Sequence, residues 1–295
     1  MIKILFKLFF LALFVALIFS ACTKQEEVVV DNNTAPPDST IESVVKETYV
    51  NKLYISLLGR KPSDQEQTNG ITILDQNNVS TANREELVNL VFSEEEYLNR
   101  TYEIAFNELL PSVDTAYFSF LISEYNKLIK STTDSVYIEL FETEIIREEE
   151  VRDILKDLKA DSITIAEMYE RLVNNEPYDE LNMGTENFII SMFQYFLVRY
   201  PTDEELTNST TMVDGGSSVI FYQEGSSKND FINIFFNYDE YFEGQVRALY
   251  ERYLYREPTS EEMTSLAVAY KNSDDYKALQ RAILITDEYV GVSYN

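Results

Sequence analysis

The chain reads Tyr54-Ile-Ser-Leu-Leu58-Gly-Arg60-Lys-Pro62-Ser63-Asp-Gln-Glu66 near its start, and two later segments, Phe193 to Glu205 and Tyr250 to Glu262, align with it without gaps. Each segment has an aromatic residue, then Leu at +4, Arg at +6, Pro at +8, Ser or Thr at +9 and Glu at +12. This agreement indicates an internal repeat. The shared positions after Leu are Arg60, Pro62, Ser63 and Glu66, then Arg199, Pro201, Thr202 and Glu205, then Arg256, Pro258, Thr259 and Glu262.

The repeated segment predicts the end of one helix and the start of the next. An aromatic residue and a Leu four positions apart lie on one face of a helix. The Pro disfavours helical backbone at the residue before it, so the helix ends at or near the Arg. The hydroxyl residue after Pro then acts as an N-cap, and the Glu three positions later completes a capping box. The repeat therefore predicts helix-turn-helix modules in an all-α fold of one or two helical domains.

Each copy is followed by a second shared element, in which an acidic pair precedes a Tyr. The Arg-to-Tyr separations are 37, 42 and 33 residues, so the unit keeps its plan while its loops vary. An Arg at the end of a helix interacts favourably with the helix dipole. We expect each Arg also to pair with the acid before the Tyr, namely Glu96, Glu240 and Glu288. The alternative is that the three Arg residues bind a ligand.

The segment from Tyr54 to Ser63, followed by the Ser-x-x-Glu-Tyr element at Ser93 to Tyr97, resembles small helical modules of unknown function in bacterial surface and secreted proteins. More loosely, it is similar to the linker domains of phycobilisomes. The resemblance covers roughly residues 44–102 and 186–293. It implies α-helical modules that mediate assembly or attachment, and it implies no reaction. Gly precedes the Arg in the first copy, whereas Val198 and Tyr255 stand there in the others.

The remaining segments are also predicted to be helical. Residues 41–180 are expected to form an N-terminal helical domain of the first repeat plus a spacer, and residues 181–295 a C-terminal domain of the other two copies. Thr164 opens a fourth capping box, and Thr185 is a candidate cap for the helix that leads to Arg199. The spacer has two apolar stripes at helical spacing. They are Val113, Tyr117, Phe120, Leu121 and Leu128, and then Val136, Leu140, Phe141, Ile145, Val151, Leu155 and Leu158.

The N-terminus predicts export and lipidation. Two Lys precede an apolar run of 12 residues, Leu8 to Phe19, which is too short to span a membrane and is typical of a signal peptide over residues 1–21. Ser20-Ala21-Cys22 resembles the lipobox of bacterial lipoproteins, so Cys22 is the expected lipidation site. Residues 22–40 are predicted to be a flexible tether. The charged residues after Cys22 resemble the signal that sends Bacteroidetes lipoproteins to the cell surface, which implies an outer-membrane location.

Composition excludes several classes of function. The 295 residues include no His and one Cys, which removes His-based triads, His-ligated metals and internal disulfides. With 51 acidic and 24 basic residues the net charge is −27, which argues against nucleic-acid binding. No cofactor or metal site is predicted. The one strand-like stretch is Ser218 to Tyr222, beside loop insertions in the second copy.

Acidic runs are abundant, and the spacing favours exposed helix surfaces over catalytic pairs. Glu148 to Glu150 is one such run, and Glu148 is expected to pair with Arg152 four positions later. Ser43 and Lys46 form an isolated Ser-x-x-Lys without the companion motifs of a Ser-Lys hydrolase. The aromatic residues between Tyr222 and Tyr255 exceed the needs of one small core, so some are candidates for a binding surface.

Three hypotheses of function follow from these patterns. The first is a non-enzymatic, lipid-anchored surface protein that takes part in assembly or binding of other envelope proteins. The second is a glycan-binding accessory lipoprotein that presents exposed Tyr and acidic side chains to sugars. The third, which the sequence favours least, is a carboxylate-based hydrolase, and it requires an acid of raised pKa inside a concave pocket.

Overall fold

The computed structural model describes residues 39–292. The predicted signal peptide, the lipidation site at Cys22 and nearly all of the predicted tether lie outside the described residues. Residues 41–292 belong to one compact unit. The first described helix begins at Ser39.

Sixteen α-helices and one short β-hairpin make up the described chain, which confirms the all-α class. The first eight helices are α1 (Ser39–Leu58), α2 (Asp64–Asp75), α3 (Thr81–Phe92), α4 (Glu95–Leu109), α5 (Thr115–Ser131), α6 (Ser135–Arg152), α7 (Ile154–Lys159) and α8 (Ile165–Val173). The others are α9 (Glu176–Asn182), α10 (Thr185–Met192), α11 (Asp203–Val213), α12 (Lys228–Phe236), α13 (Asp239–Leu254), α14 (Ser260–Ser273), α15 (Tyr276–Leu284) and α16 (Asp287–Val290). A π-helical turn, Phe193–Leu197, continues α10, and strands β1 (Ser218–Ile220) and β2 (Gln223–Gly225) pair antiparallel.

Four helices begin at complete capping boxes. Ser63, Thr164, Thr202 and Thr259 each accept a hydrogen bond from the backbone N–H three residues later, and the Glu at that position accepts one in return from the backbone N–H of the cap. Each box satisfies amides that the first helical turn leaves without partners. Helix α10 differs from the prediction, because Gly184 is its N-cap and Thr185 instead donates from Oγ1 to Asp214 Oδ1 at 2.6 Å.

The residue before each repeated Arg is in the left-handed region of backbone space. Gly59, Val198 and Tyr255 have φ of +74°, +57° and +55°. Left-handed backbone at this position ends a helix and turns the chain, which is why Gly is commonly found there. The two copies without Gly therefore adopt the same turn as the first at a conformational cost.

One hydrophobic core runs through the unit, from Tyr49 in α1 to Val290 in α16. Tyr49 donates from its hydroxyl to the carbonyl of Leu284 at 3.1 Å, and the Tyr97 hydroxyl donates to Gln280 Oε1 at 2.6 Å. Residues 41–180 and 181–295, which the sequence predicts as two helical domains, share this core. They do so because helices from the end of the chain cover the apolar face of α1.

Gly244 allows helix α13 to lie against the π-helical turn. A Cβ added at Gly244 would be 1.8 Å from the carbonyl oxygen of Phe196. The Phe196 ring lies in an aromatic cluster, with ring centroids 4.9 Å from Phe236 and 5.2 Å from Tyr169. The close approach of the two backbones therefore holds the centre of the core together.

Helices α5 and α6 form a hairpin whose outer part extends beyond the core. They pack chiefly on each other, and between residues 122 and 147 no side chain is buried. Two apolar stripes mark the spacer in the sequence, and Phe120, Leu128, Val136 and Leu140 within them are 53%, 44%, 72% and 49% exposed. The second stripe is also divided between two helices, since α6 ends at Arg152.

Candidate functional site

The three repeated Arg side chains make the same contacts in all three copies. Each lies at a corner, meaning the turn between the helix that ends at the Arg and the helix that begins at the capping box. Arg60 Nη1 and Nη2 donate to the two carboxylate oxygens of Glu66 at 2.9 and 2.8 Å. Arg199 binds Glu205 in the same way at 2.8 and 2.7 Å, and Arg256 binds Glu262 at 2.9 and 2.8 Å. Bidentate Arg–carboxylate pairs are among the stronger charge-assisted hydrogen bonds. The Glu of each capping box thus also fixes the Arg that ends the preceding helix.

The acid before the later Tyr completes each corner. Arg60 Nε donates to Glu96 Oε1 at 3.1 Å, Arg199 Nε to Glu240 Oε1 at 2.5 Å and Arg256 Nε to Glu288 Oε1 at 2.8 Å. In the second and third copies Nη2 also donates to the other oxygen of this acid, at 2.7 Å in both. The structure therefore places all three acids that the sequence pairs with the Arg residues against those residues.

No guanidinium N–H of Arg199 or Arg256 is left for a ligand. Beside the two carboxylates, Nη1 donates to the carbonyl of the next residue, at 3.1 Å in Arg199 and 3.0 Å in Arg256. These bonds account for all five donors of a guanidinium. Each Arg bonds only within its own copy of the repeat. The geometry thus favours a structural role over the alternative of a ligand-binding Arg.

Aromatic rings cover the guanidinium groups and the ion pairs keep the acids charged. The first aromatic residue of each segment lies under its Arg, at 5.5 Å for Tyr54, 4.9 Å for Phe193 and 5.0 Å for Tyr250. Hydrogen bonds from Arg60 and Arg256 hold the pKa of Glu66 and Glu262 down at about 2. These carboxylates are ionised at neutral pH and cannot act as general acids.

Glu148 is buried, which contradicts the sequence interpretation of an exposed acid paired with Arg152. Arg152 instead donates from Nε to Asp153 Oδ1 at 2.9 Å. Glu148 Oε1 accepts the backbone N–H of Glu176 at 3.0 Å, at the start of α9, while Oε2 has no hydrogen-bond partner. Burial raises the pKa of Glu148 to about 7. This hydrogen bond joins α6 to the first turn of α9.

A second acid of raised pKa lies in a cleft. Burial, with a smaller contribution from the charge of Glu167, raises the pKa of Glu170 to about 7. Glu170 lines a cleft of about 280 Å³ together with Glu150 and Glu167. Glu167 Oε2 accepts the backbone N–H of Thr164 in a capping box, so one of these acids has a structural role. Sequence spacing gave no sign of Glu170, because its burial depends on residues around Asn229 that close the cleft.

The described part of the chain lacks metal-ligand clusters and membrane-spanning helices. Residues 39–292 contain no group of three or more Asp, Glu or Cys side chains placed to hold a metal ion. Within the same range, every helix is too short or too polar to cross a membrane. Comparisons with protein-family models, curated proteins and solved structures found no match.

Proposed function

We propose that this chain is a non-enzymatic, lipid-anchored protein of the bacterial envelope that binds another envelope protein on the α5–α6 hairpin. The observation that carries the proposal is the exposed outer part of that hairpin. Apolar side chains exposed together at this scale are typical of interaction surfaces. The lipobox sequence around Cys22 supports an anchor in the outer membrane, and the resemblance to assembly modules supports the binding role.

The exposed surface of the hairpin continues a face that is buried at its base. Glu148 and Val151 on α6 are buried against the rest of the unit, and Val136, Tyr137 and Leu140 lie on the same side of the helix nearer its start. Tyr137 is 55% exposed. The face therefore extends beyond the core that covers it, and it presents an apolar strip about one and a half turns long to a partner.

The charge of the hairpin indicates the chemistry of that partner. Residues 115–152 contain eight acidic and four basic side chains, and the whole chain is strongly acidic. Lys127 is already within 2.5 Å of Glu124 on the same helix. A second copy of this chain would be repelled by the net charge. We therefore expect the partner to present an amphipathic helix with Lys or Arg beside its apolar stripe.

A peptide-binding measurement tests this proposal on the full-length chain. The probes are two 20-residue amphipathic peptides of identical pattern, one of Leu and Lys and one of Leu and Glu, followed by fluorescence anisotropy. We expect the Leu-Lys peptide to bind and the double variant Tyr137→Gln, Leu140→Gln to weaken binding about tenfold, since two apolar contacts are lost. Val268→Gln is the matched control, because Val268 on α14 is 55% exposed outside the hairpin.

Two results would contradict this proposal. One is equal affinity of the double variant and the native chain for the Leu-Lys peptide. The other is equal binding of the Leu-Glu peptide, which would remove the argument from charge. Both variants replace exposed side chains, so circular dichroism is expected to show unchanged helix content.

A carboxylate-based hydrolase is the second candidate, and Glu170 is the observation in its favour. An acid with a pKa near 7 can donate a proton at neutral pH, and a glycosidase needs a second carboxylate across the substrate. Glu150 lines the same cleft. Hydrolysis of soluble glycans by the native chain, lost in both Glu170→Gln and Glu150→Gln, would establish this activity. Absence of hydrolysis in the native chain would dismiss it.

A further inference from the structure

We infer that the cleft beneath the β1–β2 hairpin binds a neutral pyranose unit of a glycan, with Tyr222 as the ring on which the sugar stacks. The cleft has a volume of about 310 Å³, which is at the lower end of small-ligand sites. It is lined by residues of α11, the hairpin and Tyr238. The site shares no residue with the α5–α6 surface, so it is a further function and does not depend on the docking proposed there.

The hairpin turn holds two aromatic residues in strained backbone. Ile220 pairs with Gln223, so the turn consists of Phe221 and Tyr222, whose φ are +50° and +64°. Two-residue turns with both φ positive are of type I′ and strongly prefer Asn-Gly. For a bulky residue this conformation is an energetic outlier, and such outliers cluster at functional sites.

Internal packing accounts for an aromatic residue in the strained turn at Phe221, but it does not account for one at Tyr222. The Phe221 ring stacks on Tyr238 with centroids 3.8 Å apart and planes within 2°. Tyr222 is 96% exposed, so its ring contributes little to the core. Because the Tyr222 ring lines the cleft, contact with a molecule bound there accounts for its place in the turn.

Polar groups around the ring are free to bind hydroxyls. The Tyr222 and Tyr238 hydroxyls and the Glu204 carboxylate make no hydrogen bond or ion pair within residues 39–292. Asn208 donates from Nδ2 to the carbonyl of Val219 at 3.1 Å, which leaves its Oδ1 as an acceptor. The pKa of Tyr238 is raised by burial and then by the charge of Glu240. A pyranose has a face of C–H groups for an aromatic ring and a rim of hydroxyls for such partners.

Ring stacking in the cleft argues against a cation as the ligand. Glu205 also lines the cleft, but both of its oxygens are bound to Arg199. Phe221 and Tyr238 stack on each other, so each ring covers one face of the other. A cation binds over an open ring face, and these two faces are not open to it. One unpaired carboxylate, Glu204, remains to accept hydrogen bonds from sugar hydroxyls.

Calorimetric titration of the full-length chain tests the site with defined probes. The neutral probes are cellohexaose, xylohexaose, mannohexaose and maltohexaose, and hexalysine is the cationic probe. We expect at least one hexasaccharide to bind, and Tyr222→Gly to weaken its affinity about tenfold or more. Tyr222→Gly also relieves the positive φ, so we expect its Tm to rise by about 2 °C.

Tyr255→Gly is the matched control. Tyr255 has φ of +55° and is 88% exposed, but it does not line the cleft. Its replacement by Gly should raise Tm in the same way and leave sugar affinity unchanged. The inference is overturned if none of the four hexasaccharides binds, if both Gly variants bind them as tightly as the native chain, or if hexalysine alone binds. Failure of the sugar-binding test would say nothing about the α5–α6 hairpin, which the peptide-binding measurement tests independently.

Discussion

Arg199 and Glu240 form a two-point ion pair between residues 41 positions apart in the sequence, with Nε to Oε1 at 2.5 Å and Nη2 to Oε2 at 2.7 Å. The same Arg binds the capping-box acid of the following helix. One guanidinium therefore joins the end of one helix, the start of the next and the start of a third. The repeated motif specifies a junction of three helices.

Double-mutant cycles should detect this junction and rank two of its copies. For Arg199→Ala with Glu240→Ala we expect a coupling free energy of unfolding of about 1 kcal/mol, and for Arg256→Ala with Glu288→Ala about 0.5 kcal/mol. The difference follows from exposure, because the side chains of Glu240 and Glu288 are 25% and 45% exposed. Urea denaturation of the native chain and the three variants in each cycle measures both values. Zero coupling in the second copy would contradict the structural role.

Val198→Gly should stabilise the protein by about 1 kcal/mol. Val198 is β-branched, has φ of +57° and is 45% exposed, so Gly relieves strain and loses little burial. Gly59→Ala is the reciprocal change and should be destabilising, because a side chain at φ of +74° is strained and its Cβ meets Arg100 Cδ at 3.1 Å. Chemical denaturation measures both. A loss of stability in Val198→Gly would show that the turn is not strained.

Gly244→Ala should destabilise the protein by at least about 2 kcal/mol, because the added methyl group overlaps the Phe196 carbonyl. Helix propensity alone predicts the opposite sign, since Ala is favoured over Gly in a helix by about 1 kcal/mol. The direction of the change in unfolding free energy therefore decides between the two effects. Ala248→Gly in the same helix, at a partly buried position, gives an upper limit for the propensity term.

Glu148→Gln should make the protein more stable at high pH, because it replaces a buried carboxylate that is charged there by a neutral amide. The folded-state pKa of Glu148 is raised from 4.5 to about 7, so the native state holds the proton more tightly than the unfolded chain. The free energy of folding that protonated Glu148 contributes is fully present below pH 4.5, and it is lost as the pH rises through 7. We expect the variant to be about 2 kcal/mol more stable than the native chain at pH 8, and this advantage to vanish near pH 4. Thermal unfolding at several pH values measures it.

Cys22→Ser should abolish lipid attachment. The sequence places Cys22 after a small-residue pair and an apolar run, and no other Cys is present in the chain. Expression in a bacterial host with radiolabelled palmitate should label the native chain and leave the variant unlabelled. Labelling of the variant would reject the lipobox interpretation and, with it, the proposed membrane anchor.

Local spacing explains which parts of the structure could be predicted. A capping box needs two residues three positions apart, and the acids beside Arg60 and Arg199 could be paired with them because both charges recur in every copy. The burial of Glu148 could not be predicted from local spacing, because its partner amide at Glu176 is 28 positions away. The exposure of Val136 and Leu140 could not be predicted either. Apolar residues at helical spacing show which residues share one face of a helix, but they do not show whether another helix covers that face.

The contacts between α1 and α16 set the order in which this protein can fold. Tyr289 accepts a hydrogen bond at its carbonyl from Lys52 and donates one from its hydroxyl to Ser56 Oγ at 3.2 Å, 233 positions away. The first helix of the unit is therefore completed by residues that the ribosome adds more than 230 positions later. Until those residues emerge, Lys52 and Ser56 lack these partners, so removal of α16 should also disturb α1.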